Sequence, residues 1–186
     1  NTPWDTKTTT PALINSINHS KSKKIAILGC GYSKDSLFLA KKGHKVYSID
    51  FASEPVEYLN NLKKEEGLDN LFPVQEDIFN LKNEYFNFFD IVLEYTCFCA
   101  IDPKRRPHYI KVVNNILNKN GKFIALFFPI EKRNDEIDKG PPFYVNLEEI
   151  LSMFENNFNI VKINNNPDSI KPRKGFETLV IMDKKC

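Results

Sequence analysis

Two glycines and an aspartate have the types and spacing needed to hold a nucleoside. Gly29 and Gly31 directly follow an apolar run, and Asp50 comes 21 residues after Gly29. Glycine allows a positive φ and a close approach of the backbone to a ligand where a strand turns at once into a helix. An acidic side chain about twenty residues further on, at the tip of the neighbouring parallel strand, can accept hydrogen bonds from both ribose hydroxyls. The spacing therefore predicts a βαβ unit that binds an adenosine cofactor.

The residue three positions after Gly31 distinguishes between adenosine cofactors. A dinucleotide-binding turn needs Gly or Ala there, so that the helix packs tightly beneath a pyrophosphate. Lys34 occupies that position, and Ser33 stands where enzymes that use S-adenosylmethionine often have a third glycine. The pattern favours S-adenosylmethionine over NAD, and a plain turn of an α/β protein is the alternative without a ligand.

The cysteines and histidines form no metal-binding pattern. Cys97 and Cys99 are separated by one residue, and the three histidines lie far from them in sequence, so no metal is expected. Cysteines at a turn and a strand end are typical of small buried side chains in a reducing cytosol. Because no secretory leader or transmembrane run is visible, a cytoplasmic protein is expected.

Length and charge limit the kinds of partner. The 186 residues suit one domain over 1–186 with a single core, in which residues 1–22 form an N-terminal segment over the site. The 26 basic and 24 acidic side chains give a net charge of +2 without a basic block. No nucleic-acid or membrane surface is therefore evident. We expect a small neutral or anionic substrate, and the sequence leaves the oligomeric state open.

Strands and helices alternate along the chain, as expected for parallel βαβ units. Apolar runs predict strands over 24–29, 46–49, 71–75, 90–94 and 122–128. Helical spacing predicts helices over 34–42, 54–65, 104–117 and 147–154. The last two strands, 158–163 and 177–182, are joined by a loop, which predicts an antiparallel pair. The expected fold is α/β and Rossmann-like, that of a class I methyltransferase: a seven-stranded, mostly parallel sheet with an antiparallel last strand and helices on both faces.

The segment 140–144 has the sequence Gly-Pro-Pro-Phe-Tyr and follows a polar stretch over 131–139. It is too rich in proline for a helix or an inner strand. We predict that it is a lid, and that Asn146 caps the helix that follows it.

Four parts of the sequence resemble one enzyme family. They are 2–5 with 10–13, 28–31, 95–101 with 106–107, and 140–145. Together they resemble the thiopurine S-methyltransferase family, and most closely its thiol/halide methyltransferase branch, over essentially the whole chain. The resemblance implies a class I S-adenosylmethionine-dependent fold and methyl transfer to a small sulfur or halide nucleophile.

The resemblance also implies which residues hold the donor. Trp4 corresponds to a tryptophan that packs against the methionine half of the donor. The turn and ribose positions correspond to Gly29, Gly31 and Asp50. Asp77 and Ile78 correspond to a pair whose carboxylate accepts the adenine amino protons while the apolar side chain covers the ring.

On the acceptor side, the resemblance places Tyr95 beside the transferring methyl group, where it also contacts the donor. Arg106 and Arg173 correspond to arginines near the acceptor, where a permanent cation can hold an anion or lower the pKa of a thiol. Phe143 and Tyr144 would close the pocket with aromatic surface.

The expected reaction is S-methylation of a compact thiol such as hydrogen sulfide or methanethiol. The alternatives are a halide or thiocyanate acceptor and a thiopurine- or selenium-type detoxifying reaction. A nucleic-acid or protein methyltransferase is disfavoured by the even charge and by the absence of an Asn-Pro-Pro-Tyr motif after the fourth strand. A silent binding protein and an NAD-dependent oxidoreductase are alternatives from another class. No His–Asp pair is evident, and His108 is the one histidine considered for deprotonating a thiol.

Overall fold

A seven-stranded sheet runs through the computed structural model, which describes residues 7–128 and 140–185. The strands are β1 (Lys24–Leu28), β2 (Lys45–Asp50), β3 (Leu71–Gln75), β4 (Phe89–Tyr95), β5 (Leu117–Phe127), β6 (Phe158–Asn164) and β7 (Thr178–Lys184). Their spatial order is β3-β2-β1-β4-β5-β7-β6. Strands β1 to β5 are parallel, and β7 is antiparallel to both β5 and β6. The predicted class I methyltransferase sheet with its reversed last strand is confirmed.

Helices cover both faces of the sheet, as predicted. The helices are α1 (Pro11–Ile14), α2 (Lys34–Lys41), α3 (Ser53–Glu66), α4 (Arg106–Ile116) and α5 (Leu147–Phe154). The first three bury their apolar side chains against one face, and α4 and α5 pack on the other. Successive side chains of a strand point to opposite faces. In β1, accordingly, Ile25 and Ile27 face α1 to α3, whereas Ala26 and Leu28 face α4 and α5.

Side-chain caps and a left-handed glycine set the helix ends. Ser33 Oγ accepts a hydrogen bond from Ser36 N at 3.2 Å at the start of α2. Asn146 Oδ1 accepts one from Glu149 N at 3.1 Å, which confirms the predicted cap of α5. Helix α3 ends at Glu66 and is capped by Gly67, whose φ is +65°. The predicted bounds of these three helices agree with the structure to within one residue at each end.

The junction between α4 and β5 differs from the prediction. The spacing predicted a helix over 104–117 and a strand from residue 122, but α4 ends at Ile116 and β5 begins at Leu117. Leu117 pairs with β4, the register then shifts, and pairing resumes at Lys122. The turn-like sequence Asn-Lys-Asn-Gly over 118–121 is therefore an irregularity within a strand. The short helix α1 has too few residues for periodicity to reveal it.

Candidate active site

An open cleft lies beyond the carboxyl ends of β1 and β4. The strand order reverses between these two strands, and ligands of open α/β sheets bind at such a switch point. The cleft is lined by residues of β1, the glycine turn, the start of α2, the N-terminal segment and the end of β4. They are 29–35, Thr8, Thr10, Leu13, Ile27, Leu93, Tyr95 and Thr96.

The two glycines of the turn are needed for different reasons. Both are left-handed, with φ of +58° at Gly29 and +50° at Gly31. A Cβ on Gly29 would lie 2.7 Å from Cys97 Sγ, whereas a Cβ on Gly31 would meet nothing within 4 Å. Gly29 therefore lets the turn pack on the residues after β4, and Gly31 leaves open space on the cleft side. That space fits a ligand held close to the backbone.

Asp50 ends β2 with its carboxylate held by the backbone. Asp50 Oδ2 accepts a hydrogen bond from Gly31 N at 2.8 Å, and Oδ1 accepts one from Ala52 N at 3.0 Å. A carboxylate has about four acceptor positions, so about two remain for ribose hydroxyls. Phe51, which the sequence analysis did not single out, is 77% exposed beside it. The sequence feature that could have indicated Phe51 is its position directly after Asp50.

Asp77 and Ile78 lie beyond β3 and do not line the cleft itself. Asp77 is exposed, and its carboxylate accepts hydrogen bonds from Phe79 N at 2.9 Å and Asn80 Nδ2 at 3.2 Å. It thereby caps a 3-10 turn over Ile78–Asn80. Ile78 is buried in the core with Ile49, so little of its surface is left to cover a ring.

Part of the N-terminal segment forms one wall of the cleft. Thr10 N donates a hydrogen bond to Asp35 Oδ1 at 2.7 Å, which fixes α1 to the start of α2. Burial raises the pKa of Asp35. Thr8 and Leu13 also line the cleft. Trp4 lies outside the described residues.

A pair of histidines holds the end of the same segment. His19 Nδ1 lies 2.9 Å from His44 Nε2, and His19 Nε2 lies 3.1 Å from the carbonyl oxygen of Ile14. His44 Nδ1 accepts a hydrogen bond from Lys23 N at 3.1 Å. The backbone partners fix both tautomers, because His44 Nε2 must donate and His19 Nδ1 must accept. Burial, His19 and Lys23 lower the pKa of His44, so the buried ring is held neutral.

Residues that are distant in sequence contact Tyr95, which forms part of the cleft wall. Arg173 Cζ lies 4.9 Å from the ring centroid of Tyr95 and 4.5 Å from that of Phe128. Glu177 is 2% exposed and faces both Tyr95 and Arg173. Burial and the carboxylate of Glu177 raise the pKa of Tyr95, so its side chain is a neutral phenol.

Arg106 fixes the predicted lid segment. Arg106 Nη2 donates a hydrogen bond to the carbonyl oxygen of Tyr144 at 3.1 Å, and Phe143 N donates one to the carbonyl oxygen of Cys99 at 2.6 Å. Residues 140–145 are thereby attached to the turn after β4. Arg106, Phe143 and Tyr144 do not line the described part of the cleft. The preceding polar stretch over 131–139 lies outside the described residues.

Cys99 lies close to both arginines. Burial and Glu94 raise the pKa of its thiol to about 12, against the opposing charges of Arg173 and Arg106. The thiol donates a hydrogen bond to the carbonyl oxygen of Thr96 at 3.3 Å. The two arginines therefore approach the turn after β4 together, although only Arg173 contacts Tyr95 directly.

Glu94, in β4, and His108, in α4, differ in burial and in distance from the cleft. Glu94 Oε1 accepts a hydrogen bond from Phe98 N at 2.7 Å, Oε2 accepts one from the Tyr109 hydroxyl at 2.8 Å, and burial raises its pKa to about 7. Glu94 thereby holds the turn after β4. In the sequence, it could have been found as a charged residue inside an apolar run. His108 is exposed and lies against Phe79, away from the cleft.

Comparison with known proteins decides the family. The family model described as thiopurine S-methyltransferase matches residues 1–186. The chain belongs to the thiopurine S-methyltransferase family. Thiocyanate methyltransferase 1 of Arabidopsis thaliana is 30% identical over 184 residues, which span 96% of this chain and 78% of that protein. The probable thiol methyltransferase 2 of the same plant gives the same identity and coverage.

A solved structure agrees with the sheet topology. An S-adenosylmethionine-dependent methyltransferase from Methanosarcina mazei superposes with a TM-score of 0.72, at 20% identity, over 94% of this chain and 97% of that one. This family member is an enzyme, an S-adenosylmethionine-dependent methyltransferase. The left-handed glycine turn, the open space at Gly31 and the carboxylate of Asp50 fit that donor.

Among the described residues, no helix has the length and apolar character needed to cross a membrane. Within the same ranges, no three His, Cys, Asp or Glu side chains are grouped as metal ligands.

Proposed function

We propose that this enzyme methylates the sulfur of a small thiol, such as hydrogen sulfide or methanethiol, with S-adenosylmethionine as the donor. The observation that carries the proposal is the group formed by Tyr95, which lines the cleft, and Arg173, whose guanidinium lies close to the rings of Tyr95 and Phe128. Aromatic faces suit a soft, polarisable nucleophile, and the permanent cation favours its ionised form. The names of the thiol and thiocyanate methyltransferases that the chain resembles support this proposal.

The residues proposed to hold the donor follow the edge of the sheet. Gly29 and Gly31 cradle its methionine half and Asp50 accepts the ribose hydroxyls, while Trp4 packs on the methionine side. Adenine lies against Phe51 and beside Asp77, where an exposed aromatic ring and an exposed carboxylate are available, while Ile78, mostly buried, contributes only the edge of its side chain. When bound, the donor supplies an electrophilic methyl group on a positively charged sulfur.

The residues on the acceptor side orient the nucleophile and keep it dry. Tyr95 lines the cleft as a neutral phenol that can donate a hydrogen bond, and Arg173 supplies positive charge beside it. Arg106 acts on the pocket by holding the backbone of Tyr144, so that Phe143 and Tyr144 can close it. Alignment and removal of water account for much of the barrier reduction in such a displacement.

A halide or thiocyanate acceptor is the second candidate. It is favoured by the buried cationic side chain of Arg173, since an anion needs no deprotonation. A thiopurine- or selenium-type acceptor is the third, and the family description supports it.

A headspace assay for methylated volatiles tests the proposal. The purified enzyme is given S-adenosylmethionine with sulfide, methanethiol, thiocyanate or iodide, and a thiopurine is followed by chromatography. We expect methanethiol from sulfide and dimethyl sulfide from methanethiol, at higher kcat/KM than any product from the anions. Methylation of iodide or thiocyanate alone would reassign the enzyme to the second candidate.

We also propose that the chain is a single domain, 1–186, whose segment 1–22 covers the active site. A cytoplasmic location is supported by the free, largely buried thiols of Cys30, Cys97 and Cys99. A small-molecule partner, rather than a nucleic acid, is supported by the net charge of +2.

A further inference from the structure

Glu177 is a buried carboxylate that the proposed function has not used. The residue is 2% exposed, and neither of its carboxylate oxygens has a well-aligned hydrogen-bond partner. The hydroxyl of Ser169, which faces it, is also buried without such a partner. The hydroxyls that face this carboxylate are those of Ser169 and Tyr95, so Glu177 is placed to exchange a proton with the phenol of Tyr95.

The sheet register brings Glu177 to the same face as Tyr95. Tyr95 pairs with Leu126 in β5, and Leu126 pairs with Leu179 in β7. Side chains of directly paired residues point to the same face, and residues two apart in a strand share that face. Because β7 runs antiparallel, Glu177 lies just before it, at the edge where β4 and β5 end. The carboxylate thereby reaches Tyr95, which lines the cleft, whereas Glu177 itself does not.

We propose that Glu177 accepts the proton of the thiol substrate through the hydroxyl group of Tyr95. The inference rests on the proposed thiol reaction and supplies the base that the sequence did not reveal. Tyr95 is the group that touches the thiol, and Glu177 acts through it.

The proton moves in two steps, from the thiol to Tyr95 and from Tyr95 to Glu177. The S–H bond of the thiol breaks, and its proton goes to Tyr95 Oη. The proton that Tyr95 already carries goes to a carboxylate oxygen of Glu177, so the phenol stays neutral throughout. The electron pair left on the thiol sulfur then bonds to the methyl carbon, and the pair of the breaking carbon–sulfur bond stays on the departing sulfur. The carboxylic acid of Glu177 afterwards loses its proton to solvent.

The charged and titratable groups around the pair suit this role. Three groups face Glu177: Tyr95, which belongs to β4, Arg173, which belongs to the turn before β7, and the hydroxyl of Ser169. Asp35 from α2 faces Tyr95 on the cleft side. Burial raises the pKa of Glu177, which makes it a stronger base than an exposed carboxylate, while Arg173 limits that rise.

The closing experiment measures kcat/KM against pH for methanethiol and for thiocyanate. The enzymes compared are the wild type, Glu177→Gln, Glu177→Asp and Tyr95→Phe. Thiocyanate serves as the control acceptor, since it is an anion and carries no proton to remove. Affinity for S-adenosylhomocysteine and the unfolding temperature check that each variant is folded and binds the product of the donor.

Methanethiol is less acidic than a cysteine side chain, yet we expect the wild type to keep most of its rate down to about pH 6.5, well below even the cysteine pKa of about 8.5. Glu177→Gln and Tyr95→Phe should lose at least about tenfold there, within the range general-base catalysis supplies, and the loss should shrink as the pH rises towards the pKa of the free thiol. Glu177→Asp should recover part of the acid limb. With thiocyanate, Glu177→Gln should not steepen the fall in rate at acidic pH, whatever its effect on the rate itself.

Infrared difference spectroscopy measures the protonation of Glu177 independently. The spectrum is recorded before and after thiol is added to the complex of the enzyme with S-adenosylhomocysteine. The carbonyl band of a protonated carboxylic acid should appear in the wild type and be missing in Glu177→Gln. Equal losses with both acceptors at an unchanged pH profile, or no such band in the wild type, would overturn the role of Glu177 while leaving thiol methylation intact. A wild type that methylates thiocyanate but no thiol would instead overturn the proposed function.

Discussion

Gly29→Ala and Gly31→Ala form a matched pair of substitutions in the glycine turn. Both residues are left-handed, at φ +58° and +50°, so either alanine costs about 1–2 kcal/mol in backbone strain. The surroundings differ. The new Cβ at Gly29 would lie 2.7 Å from Cys97 Sγ and 3.0 Å from Cys97 Cβ, whereas at Gly31 it would meet no atom within 4 Å.

The difference in surroundings sets the expected magnitudes. Overpacking typically costs about 1–3 kcal/mol, so Gly29→Ala should lower the free energy of unfolding by about 2–5 kcal/mol in total. Gly31→Ala should lower it by about 1–2 kcal/mol, the strain alone. Gly31 lines the cleft, however, so its new methyl group enters the space assigned to the donor. We expect Gly31→Ala to weaken S-adenosylhomocysteine binding by at least about tenfold, or 1.4 kcal/mol.

Urea denaturation without ligand measures the stabilities, and isothermal titration with S-adenosylhomocysteine measures the affinities. Adding Cys97→Ala to Gly29→Ala removes the sulfur at 2.7 Å but leaves the Cβ at 3.0 Å. A double-mutant cycle should therefore show a favourable coupling of about 1 kcal/mol. Equal losses of stability at Gly29 and Gly31, or no coupling to Cys97, would refute the steric argument.

Three further predictions concern the donor, the arginines and the histidine pair. Asp50→Ala should weaken S-adenosylhomocysteine binding by about 1–3 kcal/mol, because charge-assisted ribose hydrogen bonds are lost, and isothermal titration would show an unchanged affinity if the assignment were wrong. Arg173→Ala should lower kcat more than donor affinity, whereas Arg106→Ala should also raise the protease sensitivity of the predicted lid, 140–144. A loss of donor affinity with intact turnover would reassign either residue. The lowered pKa of His44 means that the unfolded chain takes up a proton that the folded chain resists, so stability should fall as pH drops below about 6.5. Thermal unfolding between pH 5 and 8 should show this slope in the wild type and a smaller one in His44→Gln, and equal slopes would contradict the role of the pair with His19.

The cofactor side of the molecule could be predicted from local sequence because it is built locally. Gly29, Gly31 and Asp50 belong to one βαβ unit, in which turn geometry and strand length restrict the spacing. The alternation of strands and helices, together with the loop before the last strand, was likewise sufficient to predict the sheet topology. The roles of these residues toward the donor stay predictions until binding is measured.

The acceptor side depends on contacts that no local pattern encodes. Arg173 meets Tyr95 across 78 residues of sequence, and Glu177 joins them through the register of three strands. The resemblance to a family supplied Arg106 and Arg173 as a pair, but only the structure distinguishes Arg106, which holds Tyr144, from Arg173, which contacts Tyr95. Spacing also could not reveal the irregularity over 118–121, because the same residues suit a turn between elements.

The reversed strand β7 has a consequence for synthesis on the ribosome. Strand β5 is eleven residues long, and its segment from Phe123 to Phe127 is buried in the finished protein. Its partner β7 begins at Thr178, 51 residues later. Until those residues emerge, β5 is an apolar edge with unpaired backbone groups, the kind of surface that recruits chaperones or aggregates. A translational pause over residues 128–177 would prolong that exposure, so synonymous codon changes there should alter the soluble yield without altering the protein.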